Sequence, residues 1–197
     1  MLVVVLVAAA VAATCSDAAG AARQQLPPPT DAGGVPEQVV DGVVASVGLV
    51  RSAGVFGSGW VVAPGAVVTN EHVARTGTGD IYIDYSDGER VECYTVVSDR
   101  DMDLAVLKCD TGDRRPVALG GTAAPDTPVV AVGYPAGVGP TVTAGRITDQ
   151  RPVVRGIDTA GYTAALDPGS SGSPVVDPPG RVLTLATFGG GLGVPVD

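Results

Sequence analysis

The sequence predicts an all-β fold of two six-stranded antiparallel barrels. Three observations predict it. Valine, which is β-branched and favours strands, dominates the apolar residues. The chain holds 28 Gly and 16 Pro, so turns are frequent. Its apolar runs are short, are punctuated by turn residues, and fall into two sets of about six joined near residues 112–126. A chain of 197 residues is one domain or a small two-lobed unit, long enough to bury a core.

Strands of the first set are expected near residues 42–50, 57–62, 66–69, 80–85, 90–98 and 104–109. Those of the second lie near 127–133, 140–148, 160–166, 174–176, 181–188 and 192–196. Ala63-Pro64-Gly65, Ser86-Asp87-Gly88, Gly120-Gly121, Tyr134-Pro135-Ala136-Gly137 and Asp177-Pro178-Pro179-Gly180 supply the turns between them. No long stretch carries a helical period, and residues 37–42 and 71–76 are the best short helix candidates. No repeat of 20 to 50 residues is present.

Residues 1–15 read as a signal peptide or lipoprotein leader. Residues 2–14 are apolar and uncharged, too few for the ~20 residues a membrane-spanning helix needs but right for a signal-peptide core. Cys15, directly after Ala12-Ala13-Thr14, is a lipidation candidate, and the alternative is a bystander in a cleaved leader. Residues 16–36, rich in Ala, Gly, Gln and Pro, form a flexible linker. The body is 37–197, with barrel one at about 37–115 and barrel two at about 122–197.

Twelve Lys and Arg stand against 21 Asp and Glu, for a net charge of −9. Without a basic patch, nucleic acid and anionic lipid are excluded as partners. Cys93 and Cys109 flank an intervening segment on consecutive strands, which makes them a disulfide candidate; two buried free thiols are the alternative. Closing a loop of about 16 residues would add ~3 kcal/mol in the chain-entropy model.

His72 is the only histidine and lies in Val67-Val68-Thr69-Asn70-Glu71-His72-Val73-Ala74, where a strand runs into a short turn or helix. It is the only imidazole base the chain can offer. Ser171 lies in Asp167-Pro168-Gly169-Ser170-Ser171-Gly172-Ser173-Pro174. A serine hydroxyl needs a base to become a nucleophile, and flanking glycines let the backbone turn tightly and expose it. The same turn points the Gly169 and Ser171 amides at one spot, as an oxyanion hole requires. Asp103 abuts the apolar run Leu104-Ala105-Val106-Leu107, placed to receive the imidazole N–H and fix its tautomer. Asp99 and Asp101 compete for that role from a polar bend.

Together these segments resemble the trypsin-like, chymotrypsin-fold serine proteases, with the bacterial HtrA-like and glutamyl-endopeptidase-like catalytic domains as the nearest branches. The resemblance covers about residues 43–197. It includes Gly57-Ser58-Gly59-Trp60-Val61-Val62, Thr69-Asn70-x-His72-Val73, Asp103-Leu104-Ala105-Val106-Leu107-Lys108, Gly133-Tyr134-Pro135 and Gly169-Ser170-Ser171-Gly172-Ser173-Pro174. It implies paired barrels with the active site between them, His72 and Asp103 from the first and Ser171 from the second, and no metal or cofactor. No PDZ domain follows the last expected strand, and the C-terminal helix common in the fold is not apparent.

The chain departs from that pattern in places. Glu71 holds the position of a small residue beside the histidine, where its charge would act on the imidazole or be spent in solvent. Ser170 replaces an Asp or Asn, and Ser173 a glycine. A second histidine, used by the glutamate-specific branch, is missing. Ala165, six residues before Ser171, matches the pocket-floor position where a trypsin carries Asp, and Ala186, Thr187 and Phe188 are the expected walls. A small apolar pocket follows, with cleavage after small or medium aliphatic residues. The expected function is an exported serine endopeptidase acting on proteins or peptides, secreted or tethered to the membrane through Cys15; the sequence leaves its oligomeric state open. Two alternatives remain: a catalytically silent protease-fold protein that binds peptides in the envelope, and an esterase using the same residues.

Overall fold

The computed structural model describes residues 33–75, 80–154, 156–188 and 191–196, without the side chain of Phe188. The leader, Cys15 and linker residues 16–32 lie outside the described residues.

Strands β1 (Val47–Ser52), β2 (Val55–Ala63), β3 (Ala66–Thr69), β4 (Ile81–Tyr85), β5 (Arg90–Asp99) and β6 (Leu104–Cys109) close into an antiparallel barrel in the order β1-β2-β3-β6-β5-β4. Bulges at Val61/Ala63 and Thr95/Val97 supply the bends that closure needs. Cys93 pairs directly with Cys109 across β5 and β6, their Cα atoms are 4.6 Å apart, and a disulfide joins them. That spacing lies in the range a disulfide can bridge without backbone movement.

The second unit holds β7 (Pro128–Gly133), β8 (Thr141–Arg146), a two-stranded ribbon of β9 (Val153–Val154) and β10 (Ile157–Asp158), β11 (Ala160–Gly161), β12 (Pro174–Val176), β13 (Val182–Phe188) and β14 (Leu192–Pro195). Its main sheet runs β11-β14-β13-β12-β7-β8 and curls into a half-barrel. The edge strands approach at one bridge, Ile147 to Tyr162, and at flanking bonds such as Thr163 N–H to Arg146 O at 3.0 Å. The expected strand 160–166 is thus only Ala160–Gly161, because the chain leaves the sheet after Tyr162 to form the seam.

The expected strand 42–50 also needs correction. Its first residues belong to helix α1 (Glu37–Val44), which extends the short helix expected at 37–42. Val40 and Val43, one turn apart, both face the core, and the Pro36 carbonyl accepts the Val39 and Val40 N–H groups at 2.9 and 3.1 Å. Valine's strand preference is overridden by this burial. A second helix, α2 (Glu71–Ala74), follows β3.

One core cluster, including Val47, Trp60 and Val68 of the first unit and Val130, Val176 and Leu185 of the second, fastens the two together. Separate clusters fill each unit, around Val67, Ile83 and Leu107 in the first and around Val129, Val175 and Ala186 in the second. Burying a valine or leucine side chain contributes about 1.5–3 kcal/mol, so this shared layer holds the two units together.

Candidate active site

His72 lies on α2, which begins two residues after β3 ends at Thr69. Its side chain is 37% exposed. Asp103, at the mouth of β6, is buried, and its carboxylate meets His72 twice. The His72 backbone N–H reaches Oδ1 at 2.9 Å, and Nδ1 stands 2.8 Å from Oδ2 and 3.0 Å from Oδ1. A carboxylate against Nδ1 keeps the proton there and leaves Nε2 with its lone pair. Asp103 has φ +50, a left-handed backbone that Asp tolerates better than most residues. Asn70 supports this turn, donating from Nδ2 to the Asp103 carbonyl and to Thr187 Oγ1, both at 2.8 Å. The competitors do other work. Asp99 Oδ1 accepts the Asp101 and Met102 N–H groups at 3.0 and 2.9 Å, and Asp101 is exposed.

Glu71 neither faces solvent nor approaches the imidazole as an unpaired charge. Its side chain is 5% exposed, bound by Arg75 Nη2 at 3.0 Å and by Arg100 Nε at 3.2 Å. Arg100 sits in the bend just before Asp103, so this cluster ties the helix of His72 to the turn of Asp103.

Ser171 lies on the loop between β11 and β12, which packs backbone to backbone against β2. The Ser58 N–H donates to the Ser171 carbonyl at 2.7 Å, and the Gly172 N–H to the Ala186 carbonyl at 2.8 Å. A Cβ on Gly172 (φ +87) would stand 2.0 Å from the Ser58 carbonyl oxygen, so this contact requires glycine. Gly57 lies between Val73, the neighbour of His72, and the Ser171 carbonyl, which brings both segments to one point of β2. Among the described residues, neither Ser171 Oγ nor His72 Nε2 has a hydrogen-bond partner, and they are not bonded to each other.

The Gly169 and Ser171 N–H groups likewise donate to no described group. Three successive peptides explain their direction. The carbonyls of Pro168, Gly169 and Ser170 accept from Ala136 N–H at 2.8 Å, Ser58 Oγ at 3.0 Å and Ser173 N–H at 3.0 Å. A trans peptide points its N–H away from its C=O. The N–H groups of the first and third peptides are therefore the ones left over, while that of Ser170 is taken by the Asp167 carbonyl at 2.9 Å. Two unengaged amides beside a hydroxyl can hold a developing oxyanion.

The expected pocket takes another shape. Ala165 is exposed and borders a cavity of ≈ 20 Å³, room for about one water, with Ala131, Thr141, Thr143 and Ser170 among its lining. Ala186 is fully buried in the core of the second unit. Thr187, at a bulge of β13 between Ala186 and Phe188, meets Asn70 through Oγ1 at 2.8 Å. Phe188 as a wall rests on a side chain outside the described ones. Among the described residues, no cluster of His, Cys, Asp and Glu side chains is placed to hold a metal ion. The sequence reading had given no role to Ser58, Asn70 or Ala136. The one signal available was a serine between two glycines at 57–59, where backbone was bound to meet backbone.

Residues 57–185 match the family model described as trypsin-like peptidase domain. The chain is 34% identical over 157 residues to the probable periplasmic serine endoprotease DegP-like of Bartonella henselae, an overlap of 71% of this chain and 30% of that protein. It is 32% identical over 162 residues to Protease Do-like 1, chloroplastic, of Arabidopsis thaliana, covering 72% and 37%. The chain thus spans about a third of the length of these curated relatives. Among solved structures it is similar to the serine endoprotease from Yersinia pestis, with TM-score 0.75, 26% identity and coverage of 85% of this chain and 63% of that one. It is also similar to the inactive form of the Rv3671c protease of M. tuberculosis, with TM-score 0.72, 28% identity and coverage of 80% and 87%.

Proposed function

The chain belongs to the trypsin-like peptidase family, and from that premise we propose that it is an exported serine endopeptidase working through an acyl-enzyme on Ser171. The observation that supports this most is the contact of the sole imidazole with the Asp103 carboxylate at 2.8 Å, which leaves Nε2 available as the base. His72 Nε2 takes the Ser171 hydroxyl proton as Oγ bonds to the scissile carbonyl carbon. The oxygen gains the negative charge and rests against the Gly169 and Ser171 N–H groups. The imidazolium, held by Asp103, hands its proton to the leaving amine. Water then repeats the sequence and frees Ser171.

Residues 37–197 form the peptidase domain in this reading, with 1–15 as leader and 16–36 as linker, secreted or held at the membrane by a lipid on Cys15. The preference for small or aliphatic side chains at the cleaved position rests on the resemblance alone, which matches the uncharged Ala165 to the position where a trypsin carries Asp. A peptide-library profile dominated by Arg, Lys or Glu there would remove that preference.

The test is labelling of purified residues 37–197 with a fluorophosphonate, followed by mapping of the modified residue. Modification at Ser171 that disappears in His72→Ala is the expected result. A folded sample that stays unlabelled would sink the enzyme reading in favour of a peptide-binding protein on the same fold.

A further inference from the structure

Ser58 touches more of the site than its place on β2 requires. It is fully buried. Its backbone N–H donates to the Ser171 carbonyl at 2.7 Å, and its carbonyl accepts Thr69 Oγ1 at 2.7 Å, from the strand that leads into the His72 helix. Its hydroxyl donates to the Gly169 carbonyl at 3.0 Å and accepts the Tyr134 N–H at 2.9 Å. One side chain of the first unit thus fixes two backbone groups of the second, 111 and 76 residues away in sequence.

The position of that bond matters. Of the three peptides that aim the loop's amides, those of Pro168 and Ser170 have their carbonyls held by backbone donors; the middle one has its N–H held within the loop by the Asp167 carbonyl at 2.9 Å and its carbonyl, which belongs to Gly169, held from the other unit by the Ser58 hydroxyl. The middle peptide joins the two unengaged N–H groups. If it rotates, the Gly169 and Ser171 N–H vectors no longer converge. Gly169, at φ +100 with no Cβ, adds little steric resistance, so the tilt of that peptide rests on its two hydrogen bonds, one within the loop to the Asp167 carbonyl and one to the Ser58 hydroxyl. The backbone of β2 does not hold that tilt, since the Ser58 N–H holds only the Ser171 carbonyl, on the far side of both donors.

We propose that the Ser58 hydroxyl is a positioning group for the oxyanion site: by holding the Gly169 carbonyl it makes the Gly169 and Ser171 amides converge, and so couples that site to the seating of one unit on the other. This rests on the endopeptidase reading above.

The full chain, Ser58→Ala, Ser58→Cys and Thr184→Val are compared by rate of fluorophosphonate inactivation, in which Ser171 Oγ bonds to phosphorus, fluoride departs and the phosphoryl oxygen takes the oxyanion's place. Thr184→Val is the control, since it loses a buried hydroxyl bond of similar length, to the Val194 carbonyl at 2.9 Å, away from the loop. Ser58→Ala is expected to react about 10- to 100-fold more slowly, the scale of a misaimed oxyanion donor, with Ser58→Cys between it and the parent and Thr184→Val within about twofold of the parent. The imidazole N–H proton resonance, from a single histidine, stays in place in all four, which separates a lost oxyanion site from a disturbed base. Ser58→Ala at the parent's rate, or Thr184→Val slowed as much as Ser58→Ala, overturns the inference and leaves the enzyme reading standing. If Ser58→Ala does not fold, Ser58→Cys decides: the parent's rate overturns the inference and a slower one supports it. A parent chain that is not labelled removes both.

Discussion

His72 presents two donors to Asp103, the ring Nδ1 at 2.8 Å and the backbone N–H at 2.9 Å, so one carboxylate fixes both the tautomer of the imidazole and the start of its helix. Displacing that carboxylate therefore breaks the ring contact and a helix-start bond together.

Asp103→Asn should therefore keep the fold and lose the chemistry. The amide can still accept the backbone N–H, but its NH₂ face against the ring reverses the tautomer. The expected loss in kcat is about 10⁴-fold, with thermal stability nearly unchanged. A loss under tenfold would show that Asp103 does not orient the base.

The Glu71 carboxylate, 5% exposed, is shared by Arg75 and Arg100, so either arginine compensates for the other. Arg75→Ala and Arg100→Ala should each cost little. Both together leave a buried charge unpaired, and we expect roughly 2–3 kcal/mol, below the ~3–5 of a fully buried pair because these guanidiniums are 53% and 73% exposed. A double-mutant cycle in urea reads the coupling, and strict additivity would mean that Glu71 is not the shared partner.

Alkali should unfold the protein through its tyrosines. Burial pushes the Tyr85 phenol up to about 12 against the pull of the Arg114 cation; burial, with a smaller push from Asp87, drives Tyr134 above the usual range near ~10, and burial alone does so for Tyr162. The unfolded chain releases these protons near ~10 while the folded chain still holds them, so stability is full below that pH and falls as pH rises towards about 12. Phenolate absorbance followed alongside circular dichroism is expected to show part of the signal from the five tyrosines arriving only with unfolding. Smooth titration of all five with the fold intact would contradict the burial.

The strands that read most clearly from the sequence were those with dense apolar runs between turn residues, such as Ala66–Thr69 and Leu104–Cys109. Asp103 was legible for the same reason, since it marks where such a run begins. Helix α1 was half-legible, because a valine pair one turn apart and a valine strand look alike until the core that receives them is known. The site's supporting bonds were not legible at all. Ser58 reaches Gly169 across 111 residues, and no local pattern records such a contact. The left-handed backbones of Asp103 and Ala136 were hidden too, because neither is a glycine.

The two halves of the molecule end differently. The ring of strands around Ile83 and Leu107 has no loose end, whereas the sheet that bears the Ser171 loop is fastened along its last edge by the bridge between Ile147 and Tyr162 and a few loop bonds. A closed ring must come apart all at once; a seam can part first. Warming should therefore loosen the half that bears Ser171 before the molecule melts, while the imidazole is still in the grip of its carboxylate.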